Sequence, residues 1–244
     1  MWLRGLAELA RGAAHLVYPP VCLICDARDT EALRHGLCSN CYRTVTDDPA
    51  EVCPRCAATV GPHTDLSTGC GECRGRSFGF TQSFRVGPYE SRLRDAVLRI
   101  KNAAGEPLAE MLGRLLGECL AADLKATGVD LVVPVPLHWR RRWARGYNQA
   151  EAVGRELAAI LGIECRSGWL RRVGGGPQHL QPSASARRAN IRGVFLCGRR
   201  ASFKGRTVLL VDDVMTTGGT AGEAARVLLA SGADKVVVAV LARA

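Results

Sequence analysis

Nowhere does the sequence show an apolar run approaching the roughly 18–20 residues that a membrane-spanning helix needs, so no such span is expected. From residue 165 to residue 211 it contains no Asp or Glu, which leaves the arginines of that stretch without acidic partners nearby in the chain. It also lacks the G-x-x-x-x-G-K-[ST] loop, which excludes the usual nucleoside-triphosphatase site. Wholesale disorder is excluded too, because 47% of the 244 residues are hydrophobic and 23% are charged. The length suits one domain with an appendage, or two small domains.

Cysteine is abundant instead. Eight of eleven fall between residues 22 and 73 as four C-x-x-C pairs: Cys22 and Cys25, Cys38 and Cys41, Cys53 and Cys56, Cys70 and Cys73. Each pair lets two thiolates converge from a tight turn, and tetrahedral Zn²⁺ needs two pairs, so four pairs give two closed, structural Cys₄ sites. A secreted disulfide framework fits less well, since the rest of the chain is long enough for its own core and three cysteines stand alone. A dithiol redox centre explains one pair but not four. Sequential pairing closes slightly shorter loops than interleaved pairing, and both remain open. Few large apolar side chains occur in this stretch, so its fold is expected to depend on metal. Before it, Leu3, Leu6, Leu9, Ala10, Ala13, Leu16 and Val17 keep helical spacing, while Arg4, Glu8 and Arg11 break any signal-peptide core. The expectation is a short amphipathic helix over residues 1–20.

The formal charge of +10 is concentrated. Residues 134–206 hold fifteen Arg or Lys and three acids, a surplus of +12 that leaves the remainder slightly acidic. Such a face points to phosphate-bearing ligands, from small metabolites to nucleic acid.

The ligand motif lies near the C-terminus. An apolar run at 207–211 reads as a buried parallel strand, followed by Asp212 and Asp213, then Thr216, Thr217, Gly218, Gly219 and Thr220, then a helix and a second strand at 236–241. In such a βαβ unit the loop at the strand's carboxyl end is the ligand position. Glycines let backbone N–H groups turn inward, the helix N-terminus adds positive potential, and threonine hydroxyls donate, which together suit a phosphate. The paired acids suit vicinal hydroxyls of a sugar, directly or beside Mg²⁺. Upstream, a strand beginning near Asp130 ends in Pro134-Val-Pro136 and runs into Trp139, Arg140, Arg141, Arg142, Trp143 and Arg145, then Gly146, Tyr147, Asn148 and Gln149. Guanidinium groups bind phosphate and aromatic rings stack on bases. Trp139 and Trp143 equally suit one buried helical face. Residues 82–89 read as a strand or hairpin, and 92–124 as helix broken near Gly105-Glu-Pro107. Lys101 lies at a helix end, a position open to a phosphate contact, though a solvated lysine is the commoner case.

The run from Leu210 to Thr220 resembles the phosphoribosyl-pyrophosphate (PRPP) motif of type I phosphoribosyltransferases. The Pro134-Val-Pro136 and Arg142-Trp-Ala-Arg-Gly-Tyr-Asn-Gln149 segments, with four cysteine pairs ahead, resemble the ComF family over nearly the whole chain. The resemblance implies an α/β fold: a type I phosphoribosyltransferase-like parallel sheet with helices on both faces (residues 81–244), preceded by a small Cys-rich double zinc ribbon (residues 21–80). It implies sequential cysteine pairing, PRPP bound with Mg²⁺ by Asp212, Asp213 and the 216–220 loop, and pyrophosphate or nucleic-acid contacts from residues 142–149, Arg142 and Arg145 among them. It also implies a mobile stretch with Gln178, Arg187 and Asn190, which departs from the family at Gly175 and by one extra residue. Thr216 stands where purine-salvage enzymes carry a third acid, which argues against that reaction. Two functions follow. One is a cytoplasmic protein handling single-stranded DNA during uptake or use, alongside DNA-uptake or recombination proteins, with PRPP as ligand. The other is an active phosphoribosyltransferase with an unnamed acceptor and no DNA role.

Overall fold

A computed structural model of the chain describes residues 21–28, 35–174, 193–199 and 201–244. The helix expected over residues 1–20 lies outside these, as do Gln178, Arg187 and Asn190. In chain order the elements are α1 (Ser39–Thr46), β1 (Gln82–Pro88), α2 (Ser91–Arg99), a 3₁₀ turn (Ala103–Gly105), α3 (Glu106–Ala126), β2 (Leu131–Pro134), α4 (Trp139–Arg145), α5 (Gln149–Leu161), β3 (Glu164–Cys165), β4 (Leu170–Arg172), β5 (Phe195–Cys197), β6 (Thr207–Met215), α6 (Gly219–Ala230) and β7 (Lys235–Arg243).

Five strands form one sheet in the order β1-β7-β6-β2-β3, every neighbouring pair parallel. The centre is β6 and β7, whose continuous Val and Leu runs are buried on both faces, as parallel strands covered on both sides require. The acids expected just beyond the strand lie inside it. Because β7 runs on to Arg243, β6 stays paired through Met215, with Asp212 opposite Val240. Residues 82–88 join the sheet as its edge strand and form no hairpin.

Helices cover both faces. On one, Leu93 and Val97 of α2, Leu112 and Leu116 of α3, and Val153 and Leu157 of α5 pack with Leu209, Val211 and Val237. On the other, Ala221, Ala225 and Leu228 of α6, with Leu170 and Phe195 of the antiparallel β4–β5 pair, cover Val208, Leu210 and Val238. The two cysteine-rich units divide between these faces. Cys22, Cys38 and Cys41 belong to the first core, and Cys53, Cys56, Cys70 and Cys73 to the second.

The units straddle the edge strand β1. Ser83 donates its N–H to the Pro54 carbonyl at 3.0 Å. Arg85, 7% exposed, donates to Asp48 at 2.8 and 3.1 Å, to the Ala57 carbonyl at 3.0 Å and to Thr59 Oγ1 at 2.8 Å. A buried guanidinium satisfied this fully is held in place, since removing one partner would strand its charge. On the other side Arg99, at the end of α2, forks onto Asp26 and reaches the Leu23 carbonyl at 3.3 Å.

The α3–α5 contact depends on glycine. A Cβ on Gly113 would lie 2.6 Å from the Val153 carbonyl oxygen, and one on Gly117 2.6 Å from Ile160 Cδ1. In an exposed helix Gly→Ala stabilises by roughly 0.5–1 kcal/mol. At Gly113 the clash is with backbone, so Gly113→Ala is expected to destabilise by about 1–3 kcal/mol. A lower urea midpoint at unchanged m-value is the expected reading.

Candidate functional site

The eight paired cysteines form two clusters, Cys22/Cys25/Cys38/Cys41 and Cys53/Cys56/Cys70/Cys73, the sulfurs of each within 4.8 Å of one another. The grouping is sequential. The Sγ···Sγ separations include 3.7 Å (Cys25 to Cys38), 3.7 Å (Cys53 to Cys73), 3.5 Å (Cys56 to Cys70) and 3.8 Å (Cys70 to Cys73). A tetrahedron of sulfurs about 2.3 Å from Zn²⁺ has edges of about 3.8 Å, whereas a disulfide bond is about 2.05 Å long. Both clusters thus fit a four-coordinate Zn²⁺, with all four positions taken by protein.

Asp212 and Asp213 lie inside β6, whose pairing with β7 runs on to Met215. Asp213 is 8% exposed. Its Oδ2 lies 3.4 Å from Lys101 Nζ and 3.4 Å from Gln149 Nε2, and its Oδ1 accepts the Val214 N–H at 3.0 Å. Asp212 accepts the Asp213 N–H at 2.9 Å. Burial, and then the adjacent Asp213 carboxylate, raise the Asp212 carboxyl well above the ordinary carboxylate range. Arg145 donates to Gln149, and burial lowers its pKa while the Asp213 charge opposes that shift. Burial likewise lowers Arg172, on β4, with Arg141 adding to the shift and Asp212 opposing it. Lys101 is therefore paired rather than freely solvated, and Arg172 had only its place in the basic 134–206 stretch as a sequence signal.

The Arg-Gly-Tyr-Asn-Gln segment is the joint that assembles this cluster. Gly146, at φ +86°, ends α4 in a left-handed turn that a side chain would resist. Tyr147 is buried and donates its hydroxyl to the Ile100 carbonyl, which fixes the turn that carries Lys101. That burial pushes the phenol up to about 12. Asn148 caps α5 by accepting the Ala150 N–H at 3.3 Å, and donates to the Val135 carbonyl at 3.1 Å. Gln149 then reaches Asp213.

The 216–218 loop leads into α6 with Gly218 at φ +72° and no side-chain cap on the helix. The loop leans on residues that follow the last cysteine pair. Arg76 donates to the Thr217 carbonyl, and the Phe78 ring lies beneath Gly218, where a Cβ would sit 2.9 Å from it.

Beyond the acid cluster, α4 presents a different surface. Trp139 is 64% and Trp143 86% exposed, so neither is a core residue. Arg140 lies 5.2 Å over the Trp139 ring, and the His138 ring stacks on Trp139 at 5.9 Å. Burial, then Arg172, Arg140 and Arg141, lower the His138 pKa. Arg142 is paired with Glu151 at 3.2 Å. No described helix is long and apolar enough to cross a membrane.

Two family models match the chain, a double zinc ribbon domain over residues 13–74 and a phosphoribosyl transferase domain over residues 147–244. The chain is 34% identical to the DNA utilization protein YhgH of Salmonella typhi over 232 residues, covering 93% of this chain and 99% of that protein. It is 31% identical to Competence protein F of Haemophilus influenzae over 216 residues, covering 86% and 92%. A shorter similarity, 30% over 128 residues, joins 52% of the chain to 23% of the amidophosphoribosyltransferase of Escherichia coli.

A carboxyl whose pKa is raised on folding weakens the folded state as the pH rises through and beyond its unfolded value, near 3.8 for Asp212. Asp212→Asn is accordingly expected to raise Tm at pH 7, with the gain fading as the pH falls to 3.8 and below. Thermal melts at pH 7 and near pH 3.5 check this. An equal shift at both would contradict it.

Proposed function

This chain belongs to the family of the DNA utilization protein YhgH and Competence protein F, and on that premise we propose that it is a cytoplasmic PRPP-binding protein that handles single-stranded DNA during uptake or use. The observation that carries the reading is the acid pair inside β6, Asp213 buried and Asp212 partly buried, with the Thr-Thr-Gly-Gly-Thr loop that opens α6 following at the strand's end.

In this reading Asp212 and Asp213 hold the ribose hydroxyls of PRPP, directly or beside Mg²⁺. Thr216, Thr217, Gly218, Gly219 and Thr220 hold the 5′-phosphate, by the combined pull of inward N–H groups and an uncapped helix N-terminus. Lys101, Arg145 and Arg172 supply positive charge where the pyrophosphate would lie, a role in which cations stabilise developing negative charge on a leaving group. Gly146, Tyr147, Asn148 and Gln149 position these groups, and Gln178, Arg187 and Asn190 contribute from the family's mobile stretch. Structural Zn²⁺ at both Cys₄ clusters supports the fold.

DNA contact is assigned to α4. Two exposed indole rings one helical turn apart, with Arg140 beside them, suit stacking on unpaired bases and contact with phosphate. Arg142, partly exposed beside Glu151, adds a phosphate contact, whereas half-buried Arg145 belongs to the pyrophosphate side. DNA-uptake or recombination proteins are the partners that accompany such a role. The alternative, phosphoribosyl transfer to an unidentified acceptor without DNA, is favoured by the cations facing the acid pair.

Calorimetry should show PRPP binding with Mg²⁺ that disappears in the Asp212→Asn, Asp213→Asn double variant; unchanged affinity would reject the pocket. Pyrophosphate release from PRPP, with and without single-stranded DNA and candidate bases, separates the two readings. Trp139→Ala with Trp143→Ala is expected to weaken single-strand binding by roughly 1–3 kcal/mol per stacked base and leave PRPP affinity unchanged.

A further inference from the structure

The contacts between the second cysteine cluster and the phosphate loop have no part in either site alone. Arg55, between Cys53 and Cys56, donates to the Cys73 carbonyl at 3.3 Å and to the Arg76 carbonyl. Its guanidinium lies 5.7 Å from the centre of the Phe78 ring, and that of Arg76 lies 4.7 Å from it. Phe78 stacks on Phe80 at 4.9 Å and is buried. Its backbone also meets α6, since a Cβ on Gly222 would lie 2.9 Å from the Phe78 carbonyl oxygen. A continuous set of contacts thus runs from the Cys73 backbone through Arg55 and Arg76 to Thr217.

The last link has a geometric consequence. A trans peptide is planar, and its C=O and N–H point in opposite directions. Holding the Thr217 carbonyl toward Arg76 aims the Gly218 N–H away from the ribbon, to the side where an inward-turned donor meets phosphate. Gly218 itself is left-handed at φ +72°, and the Phe78 ring fills the space where its side chain would sit, so the position suits glycine on both counts.

We infer that Arg76 and Phe78 are positioning residues for the phosphate loop, and that they couple ligand binding there to metal retention at Cys53, Cys56, Cys70 and Cys73. The inference rests on the PRPP reading of the loop. Coupling of two sites is reciprocal: whatever factor metal in this cluster adds to PRPP affinity, PRPP adds to metal affinity. The first cluster, packed on the opposite face of the sheet, is an internal control.

The test is equilibrium chelator competition on the full chain, reading the two zinc equivalents with and without PRPP and Mg²⁺. In the native protein PRPP should shift the competition midpoint of one equivalent by up to about tenfold and leave the other in place. Arg76→Ala should keep two zincs and the native circular dichroism, raise the PRPP Kd about tenfold and abolish the shift. Arg76→Lys, which keeps one donor, should restore part of both. The Asp212→Asn, Asp213→Asn protein controls for zinc taken up by PRPP itself. If native protein binds PRPP and neither zinc midpoint moves, or if Arg76→Ala retains the shift, the coupling is wrong. If native protein does not bind PRPP, the pocket reading fails and the inference falls with it.

Discussion

Two carboxylates near the end of a buried parallel strand have to be held close together in a place with little water. Left alone they would repel one another, and burial together with the Asp213 carboxylate raises the Asp212 carboxyl above the ordinary range. The surroundings answer this with Lys101 and Gln149 on Asp213, and with the half-buried Arg145 and Arg172 close by. Each comes from a different element. The turn after α2, the end of α4, the start of α5 and strand β4 all have to be placed before the pair is tolerable. The same placement leaves Lys101 and two half-buried arginines around the acid pair.

The ribbons contribute more than a metal-bound head. They bracket β1, one on each face of the sheet, and Arg85, Arg99 and Arg243 tie them to the domain through carbonyls and carboxylates. Arg243 is notable for donating to the Cys56 carbonyl at 3.1 Å while Met215, at the end of the ligand strand, pairs opposite it in the sheet. The second cysteine cluster and the end of β6 therefore share a core and are linked through Arg243.

What could be read in the sequence was what is contiguous. Cysteine spacing carried the metal clusters because a C-x-x-C turn is a local device. The 210–220 run carried the strand, loop and helix because their chemistry lies in consecutive residues. Arg172, Arg76 and Phe78 were not singled out because the fold alone brings them in, and Lys101 was noted only as one of two readings; Arg76 and Thr217 are 141 residues apart. The two tryptophans were ambiguous for another reason: spacing of four places residues on one helical face without saying whether that face meets protein or water. Their exposure decided it. The strand end was read short, since nothing in Asp212 and Asp213 themselves reveals that β7 continues alongside them.

One feature of the ribbons bears on how the molecule behaves before it has any ligand. In the order β1-β7-β6-β2-β3, β1 has an open flank, and the ribbon backbone at Pro54 bonds to it through Ser83. A parallel strand with a bare flank is a template for pairing with another chain. The cysteine-rich units serve as a cover for that edge. A chain whose cysteine-rich units have not folded leaves that flank of β1 uncovered and open to pairing with another chain.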